Sequence, residues 1–346
     1  MNEQMTETRA EEIAIGAAET GSLQSRKPIF LDVDTGVDDA LAIMLAVKSG
    51  AFDMLGITTV NGNVSLAQAT LNTRKVLHVL AEEAKQKGRN EEAELIANIP
   101  VIPGADRPLR RPQYFEHRVH GNDGIGGALA DLELPPMRAS KQAALIMVET
   151  IKERPGEITL IMTGPLTNLA LALRACPELP TLVKEVIFMG GVVTSFGNVT
   201  PTAEYNIFVD PEAARNVLQA GFNITMVGLD VTRRALLTRE HIESMGDAPL
   251  APLVYDCTRD YMDMYAKRYG YPACAMHDPF AVAVAIDRAV ATTEHLYVDV
   301  EVNSNLCDGQ TVADFQGRWN KEPNVHVCMD LNQEAFIERF LHVLKR

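Results

Sequence analysis

Residues 28–48 read PIFLDVDTGVDDALAIMLAVK. Ile29 to Leu31 and Val33 form an apolar run that only Asp32 interrupts and that stops at Asp34. A strand covered on both faces has this near-continuous apolar character. Gly36 breaks the pattern. From residue 40 the run ALAIMLAV is apolar on every side of a helix, as in a helix enclosed by other elements. The stretch is therefore a strand, a tight turn and a buried helix, with Asp32 and Asp34 ending the strand and Asp38 and Asp39 opening the helix.

The same rhythm continues outward. Strands are expected at 29–33, 54–60, 158–162, 186–189, 224–229 and 296–302. Helices are expected at 38–48, 66–80, 141–152, 166–174, 211–220, 252–269, 279–285 and 334–345. Alternating strands and helices predict an α/β fold in one domain over 28–346, an open and mostly parallel sheet flanked by helices. In such sheets ligands bind outside the carboxyl ends of the strands. Residues 81–94 are dense in Glu, Lys and Arg and read as a solvated helix end and loop. Residues 1–27 hold five Glu against Arg9, Arg26 and Lys27, lack an apolar leader core, and are expected to be a disordered tail.

Composition narrows the function. Of 346 residues, 47% are hydrophobic and 23% charged, and 32 basic against 46 acidic side chains give a net charge of −14. That field opposes nucleic acid and anionic membrane as partners. No apolar stretch approaches the roughly 20 residues that span a bilayer. The five cysteines contain no C-x-x-C pair, which suggests neither zinc nor a disulfide framework and fits a reducing cytoplasm.

Four carboxylates within residues 32–39 repel one another unless a cation or protons offset them. Asp at a helix start also has an ordinary capping role. An all-oxygen set suits a hard divalent ion such as Ca2+ or Mg2+. Two familiar carboxylate motifs fail here. A haloacid-dehalogenase phosphatase motif needs Thr or Val where Gly36 stands, and an EF-hand loop needs Asp or Asn there.

DVDTGVDDALAI at 32–43 resembles the N-terminal fingerprint of the nucleoside hydrolases, the inosine–uridine-preferring nucleoside N-ribohydrolase family. Further matching segments follow in order: TTVNGN at 58–63, HGNDGIGG at 120–127, MTGPLTNLALAL at 162–173, MGG at 189–191, GNVTPTAEYNIFVDPEAA at 197–214 and HDPFAVA at 277–283. The similarity covers about residues 28–340. It implies a Rossmann-like nucleoside hydrolase fold and hydrolysis of the N-glycosidic bond of ribonucleosides to free base and ribose, in nucleoside salvage. It also implies a Ca2+ held by Asp34, Asp39, Asp278 and the main-chain carbonyl of Thr163, with Asp34 as general base toward a metal-bound water.

By the same resemblance, Asp38, Asn63 and Asn206 hold the ribose diol together with Asp278, while Asn198 and Glu204 face its 5′ end. Asp278 also reads as the N-cap of the following helix. By resemblance His277 is a catalytic residue, matching a histidine that lies near the base in one branch of the family and donates or relays a proton to it; otherwise it is a structural histidine. Tyr265 and Tyr269, four apart, share a helix face and either meet the base or simply pack together. His120 is a further base-side candidate and Met189 an apolar lining residue. Thr35, Asn61 and the interval from MGG to Asn198 depart from the commonest family pattern. Base preference is thereby open among purine, pyrimidine, mixed and nicotinamide-riboside types, with uridine and inosine the first substrates to try. The resemblance implies a homodimer or homotetramer. The competing reading is a non-catalytic, calcium-dependent nucleoside- or ribose-binding protein.

Overall fold

The computed structural model describes residues 26–137 and 142–346. The expected tail lies outside them save for Arg26 and Lys27, and so does Lys141 of the expected helix at 141–152. The strands are β1 Lys27–Val33, β2 Phe52–Thr59, β3 Val101–Pro103, β4 Thr159–Met162, β5 Glu185–Met189, β6 Ile224–Val227, β7 Leu236–Thr238, β8 Ala273–Ala275, β9 Ala291–Leu296, β10 Val298–Val300, β11 Thr311–Ala313 and β12 Val325–Leu331. Between them run α1 Val37–Lys48, α2 Leu66–Gln86, α3 Asn90–Ala97, α4 Ala143–Glu153, α5 Thr167–Ala175, α6 Tyr205–Val209, α7 Pro211–Leu218, α8 Ala251–Tyr269, α9 His277–Ile286 and α10 Gln333–Lys345, with shorter helical turns elsewhere.

Eight strands form one sheet in the order β3-β2-β1-β4-β5-β6-β12-β9. Every neighbouring pair is parallel except β12 with β9. Side chains alternate across the sheet. Ile29, Leu31 and Val33 join the core under α1, α2, α8, α9 and α10, while Phe30 joins the core under α4, α5 and α7. Helix α1 lies inside the first of these layers and is buried from Val37 through Ala46. That enclosure is why its sequence is apolar on all sides. The chain leaves β1 toward β2 and β3 on one side and returns as β4 on the other. The carboxyl ends of β1 and β4 are thus the switch point at which open α/β sheets bind ligands.

Three expectations need correction. Residues 81–94 are a solvated helix end and loop only in part: α2 ends at Gln86 and residues 85–88 are exposed, but a further helix, α3, begins at Asn90 and Glu83 is 4% exposed. Its carboxylate meets Lys48 Nζ at 2.7 Å, Lys87 Nζ at 2.9 Å and an Arg89 nitrogen at 2.9 Å. The single strand expected at 296–302 is two, with β9 closing the main sheet and β10 pairing with β11 instead. The sequence reading missed β12, which lies inside the sheet between β6 and β9.

Candidate functional site

The turn after β1 is organised by Asp39. As the third residue of α1, its carboxylate accepts the Gly36 N–H at 2.9 Å and the Asp34 N–H at 3.3 Å, satisfying donors that a helix start leaves free. It also accepts the Thr163 hydroxyl at 2.8 Å and the Asn63 amide at 3.3 Å. Thr163 follows β4, and its N–H donates to the Asp32 carbonyl at 2.8 Å. Asp32 Oδ2 accepts from Thr58 at 2.5 Å and Asn168 at 2.7 Å, and its Oδ1 is buried without a hydrogen-bond partner among the described residues. Asp34 accepts the Asn63 N–H at 2.6 Å. Gly62 permits this approach, because a Cβ there would lie 2.0 Å from Asp34 Oδ2.

Asp278 reaches the same place from α9. Met276 is the N-cap of that helix, so Asp278 is its second residue and not the cap expected from sequence. One oxygen from each of Asp38, Asp39 and Asp278 lies within 4.8 Å of the others. All four carboxylates, Asp34 included, are buried. Burial raises the affinity of all four for protons, and repulsion from neighbouring carboxylates adds to it at Asp34, Asp38 and Asp278; Asp38 rises to about 7. Asp34 Oδ1 and Asp38 Oδ1 are buried without a hydrogen-bond partner among the described residues. No Lys or Arg there forms an ion pair with any of the four. Unpartnered oxygens in an all-carboxylate set fit a hard divalent cation.

Beside this cluster lies a cavity of about 260 Å3. Asp38, Asn63, His120, Thr163, Met189, Asn198, Glu204, Asn206, Tyr265, Tyr269, His277 and Asp278 all line it. The sequence-predicted residues are thus gathered at one site, apart from Asp34 and Asp39, which sit behind its wall. Glu204 and Asn206 are not free loop groups. Glu204 caps α6 and accepts the N–H groups of Gly191, Asn206 and Ile207 at 2.9, 3.0 and 3.2 Å; burial still pushes its carboxyl up to about 7. The Asn206 amide donates to the Thr163 carbonyl at 2.7 Å. Asn198 Oδ1 accepts the Tyr205 N–H at 2.9 Å.

The far end of the cavity is aromatic and basic. The Tyr265 and Tyr269 rings stand 4.4 Å apart. His120 Nδ1 accepts the Val37 N–H at 3.1 Å, which ties its loop to the start of α1. Burial lowers the pKa of His120 to about 3 and that of His277 to about 4, with the Arg233 charge adding to the latter. Both imidazoles are neutral near pH 7.

Sequence reasoning missed Phe196, Tyr205 and Arg233. The Tyr205 hydroxyl donates toward the Gly62 carbonyl at 2.7 Å or the Tyr114 carbonyl at 2.9 Å. Arg233 stacks over Phe196 at 4.1 Å and donates to the Gly197 carbonyl at 2.8 Å. A basic residue just beyond a predicted parallel strand was the available signal for Arg233. Asn61, one of the departures noted above, is buried with neither amide atom partnered among the described residues.

Residues 29–338 match the family described as inosine-uridine preferring nucleoside hydrolase. The chain belongs to that family. It is 36% identical over 325 residues to the inosine-uridine preferring nucleoside hydrolase of Crithidia fasciculata, covering 92% of this chain and 98% of the relative. It is 35% identical over 313 residues to the pyrimidine-specific ribonucleoside hydrolase RihB of Escherichia coli, covering 90% of this chain and 95% of that one. Among solved structures, the plant nucleoside hydrolase PpNRh1 superposes with a TM-score of 0.83 at 31% identity, covering 92% of this chain and 99% of that chain. The protein is therefore an enzyme that hydrolyses the N-glycosidic bond of nucleosides, and its family is metal-dependent. Among the described residues no helix is long and apolar enough to cross a membrane.

Proposed function

We propose that this nucleoside hydrolase is Ca2+-dependent, acts first on uridine and inosine, and serves nucleoside salvage in the cytoplasm as a homodimer or homotetramer. The observation that carries the metal reading is the buried carboxylate cluster with two unpartnered oxygens at the β1–β4 switch point. The name of the Crithidia relative supports both substrates, and that of the Escherichia relative, which is pyrimidine-specific, supports uridine alone.

Asp34, Asp39, Asp278 and the Thr163 carbonyl would hold the cation. That carbonyl already accepts from Asn206 and keeps a second lone pair. A divalent ion held there would supply Lewis-acid chemistry and lower the pKa of a nearby water. Ca2+ does this weakly, so a carboxylate must take the proton of the attacking water, and Asp34 is assigned that role. Its Oδ2 is fixed by the Asn63 N–H, which leaves Oδ1 for the water. Asp38 and Asn63 face the ribose hydroxyls, while Glu204, held by three backbone N–H groups, orients Asn206 and the 5′ end of the site. Cleavage develops positive charge on the ribosyl ring, which buried carboxylates around it stabilise.

The test is a chromatographic panel of nucleosides incubated with purified protein, with and without a chelator. Release of free base from uridine and inosine, suppressed by chelation and restored by Ca2+, is expected. Release that persists through chelation contradicts the Ca2+ requirement, and release from other nucleosides alone contradicts the substrate assignment.

A further inference from the structure

Thr232 is fully buried in the helical turn that follows β6, where its own N–H donates to the Gly228 carbonyl at 3.1 Å. Its hydroxyl oxygen lies 2.7 Å from Nδ1 of His277. A buried hydroxyl places its proton on an acceptor. Among the described residues, His277 Nδ1 is the partner of this hydroxyl. A neutral imidazole that accepts at Nδ1 carries its proton on Nε2, the nitrogen left for the cavity that His277 lines.

We propose that Thr232 is a positioning residue that locks His277 in the Nε2–H form, so that the ring meets the departing base as a hydrogen-bond donor. The inference rests on the hydrolase mechanism above. His120 is wired in the same sense: its Nδ1 accepts a backbone N–H, which can only donate. Arg233, the residue after Thr232, lines the same cavity and offers donors only. The base end is thus furnished to receive acceptor atoms, such as a ring nitrogen or carbonyl oxygen of the base.

As the bond from C1′ to the base breaks, its electron pair passes to the base. The charge that develops there is met by His277 Nε2–H, and the ring yields no net proton. The base takes its proton from solvent. The water oxygen bonds to C1′, and the water's proton goes to Asp34 and then to solvent.

Two measurements test the proposal. The first compares wild type, Thr232→Val and Thr232→Ser on uridine, inosine and 4-nitrophenyl β-D-ribofuranoside, whose leaving group departs without a donor. Thr232→Val is expected to lower kcat on the nucleosides about 10- to 100-fold, with KM and the nitrophenyl riboside rate little changed, and Thr232→Ser to restore it. Equal loss on both substrate types, or no loss on nucleosides, overturns the proposal. The second is a nitrogen-15 spectrum of the labelled wild-type protein, with His277 assigned by its absence in His277→Gln. It is expected to show the Nε2–H form; the Nδ1–H form overturns the proposal even if no nucleoside is cleaved. Failure of wild type on both substrate types contradicts the hydrolase mechanism, and the spectrum then decides the tautomer independently.

Discussion

The hydroxyl of Thr163, at the end of β4, donates to Oδ1 of Asp39, in the first turn of α1, at 2.8 Å. This bond ties the two halves of the sheet across the switch point and fixes the carboxylate on which the cation site depends. Thr163→Val keeps the shape and the main-chain carbonyl but removes the donor. We expect a loss of about 1–3 kcal/mol in stability and a 10- to 100-fold weaker Ca2+ affinity, roughly the cost of losing an orienting partner. Urea denaturation and calorimetric Ca2+ titration read the two effects; an unchanged Ca2+ affinity contradicts the assigned role of Asp39.

The acidic cluster makes stability depend on pH in a direction opposite to that of a salt-bridged carboxylate. Asp38 rises to about 7 in the folded state, and Asp34, Asp39 and Asp278 are raised as well, chiefly by burial. Between their ordinary values near 4 and about pH 7, the folded chain holds protons that the unfolded chain has released, so stability falls as pH rises through that window. A bound cation displaces those protons. The melting-temperature gain from Ca2+ over chelator is therefore expected to grow from about pH 5 to about pH 7.5. A gain that is flat or shrinks with pH contradicts a cation held by these carboxylates.

Gly62 tests the packing behind Asp34. With a Cβ only 2.0 Å from Asp34 Oδ2, Gly62→Ala must displace that carboxylate. A misplacement of about 1 Å costs on the order of 100-fold in rate. Steady-state kinetics on uridine should show that loss mainly in kcat, and near-normal kcat contradicts the placement of Asp34 in the reaction.

How legible the molecule is from its sequence depends on how local each signal is. The β1–α1 unit is plain because strand end, turn and helix start lie within a few residues, and Asp34, Asp38 and Asp39 come with it. Strand β12 is hidden: His326 and Asp330 interrupt its apolar residues as in an exposed strand, yet it lies between two neighbours. Glu83 reads as solvated because its buried partner Lys48 is 35 residues away. The hydroxyl that holds His277 belongs to Thr232, 45 residues upstream, in a segment with no catalytic signature. Candidate residues announced by motifs come together around one cavity, whereas Arg233, outside every motif, and Tyr205, inside one but with long-range contacts, were not singled out.

The buried pair between Lys48 and Glu83 gives a stability prediction with an asymmetry. Glu83→Gln leaves Lys48, with its side chain 1% exposed, Glu92 at 3.4 Å as its one charged partner among the described residues, and is expected to cost about 3 kcal/mol. Lys48→Met leaves Glu83 paired with Lys87 and Arg89 and is expected to cost less. Urea denaturation of both variants checks the order, and a reversed order contradicts the reading of this cluster.

The central claim is that Asp34 takes the proton of the attacking water in a cation-dependent nucleoside hydrolysis. Chromatographic measurement of uracil released from uridine by Asp34→Ala, beside wild type, both saturated with Ca2+ and with matching circular dichroism spectra, tests it most directly. The account predicts turnover reduced by at least about 100-fold, the lower end for loss of a general base. Release of uracil at the wild-type rate would contradict it.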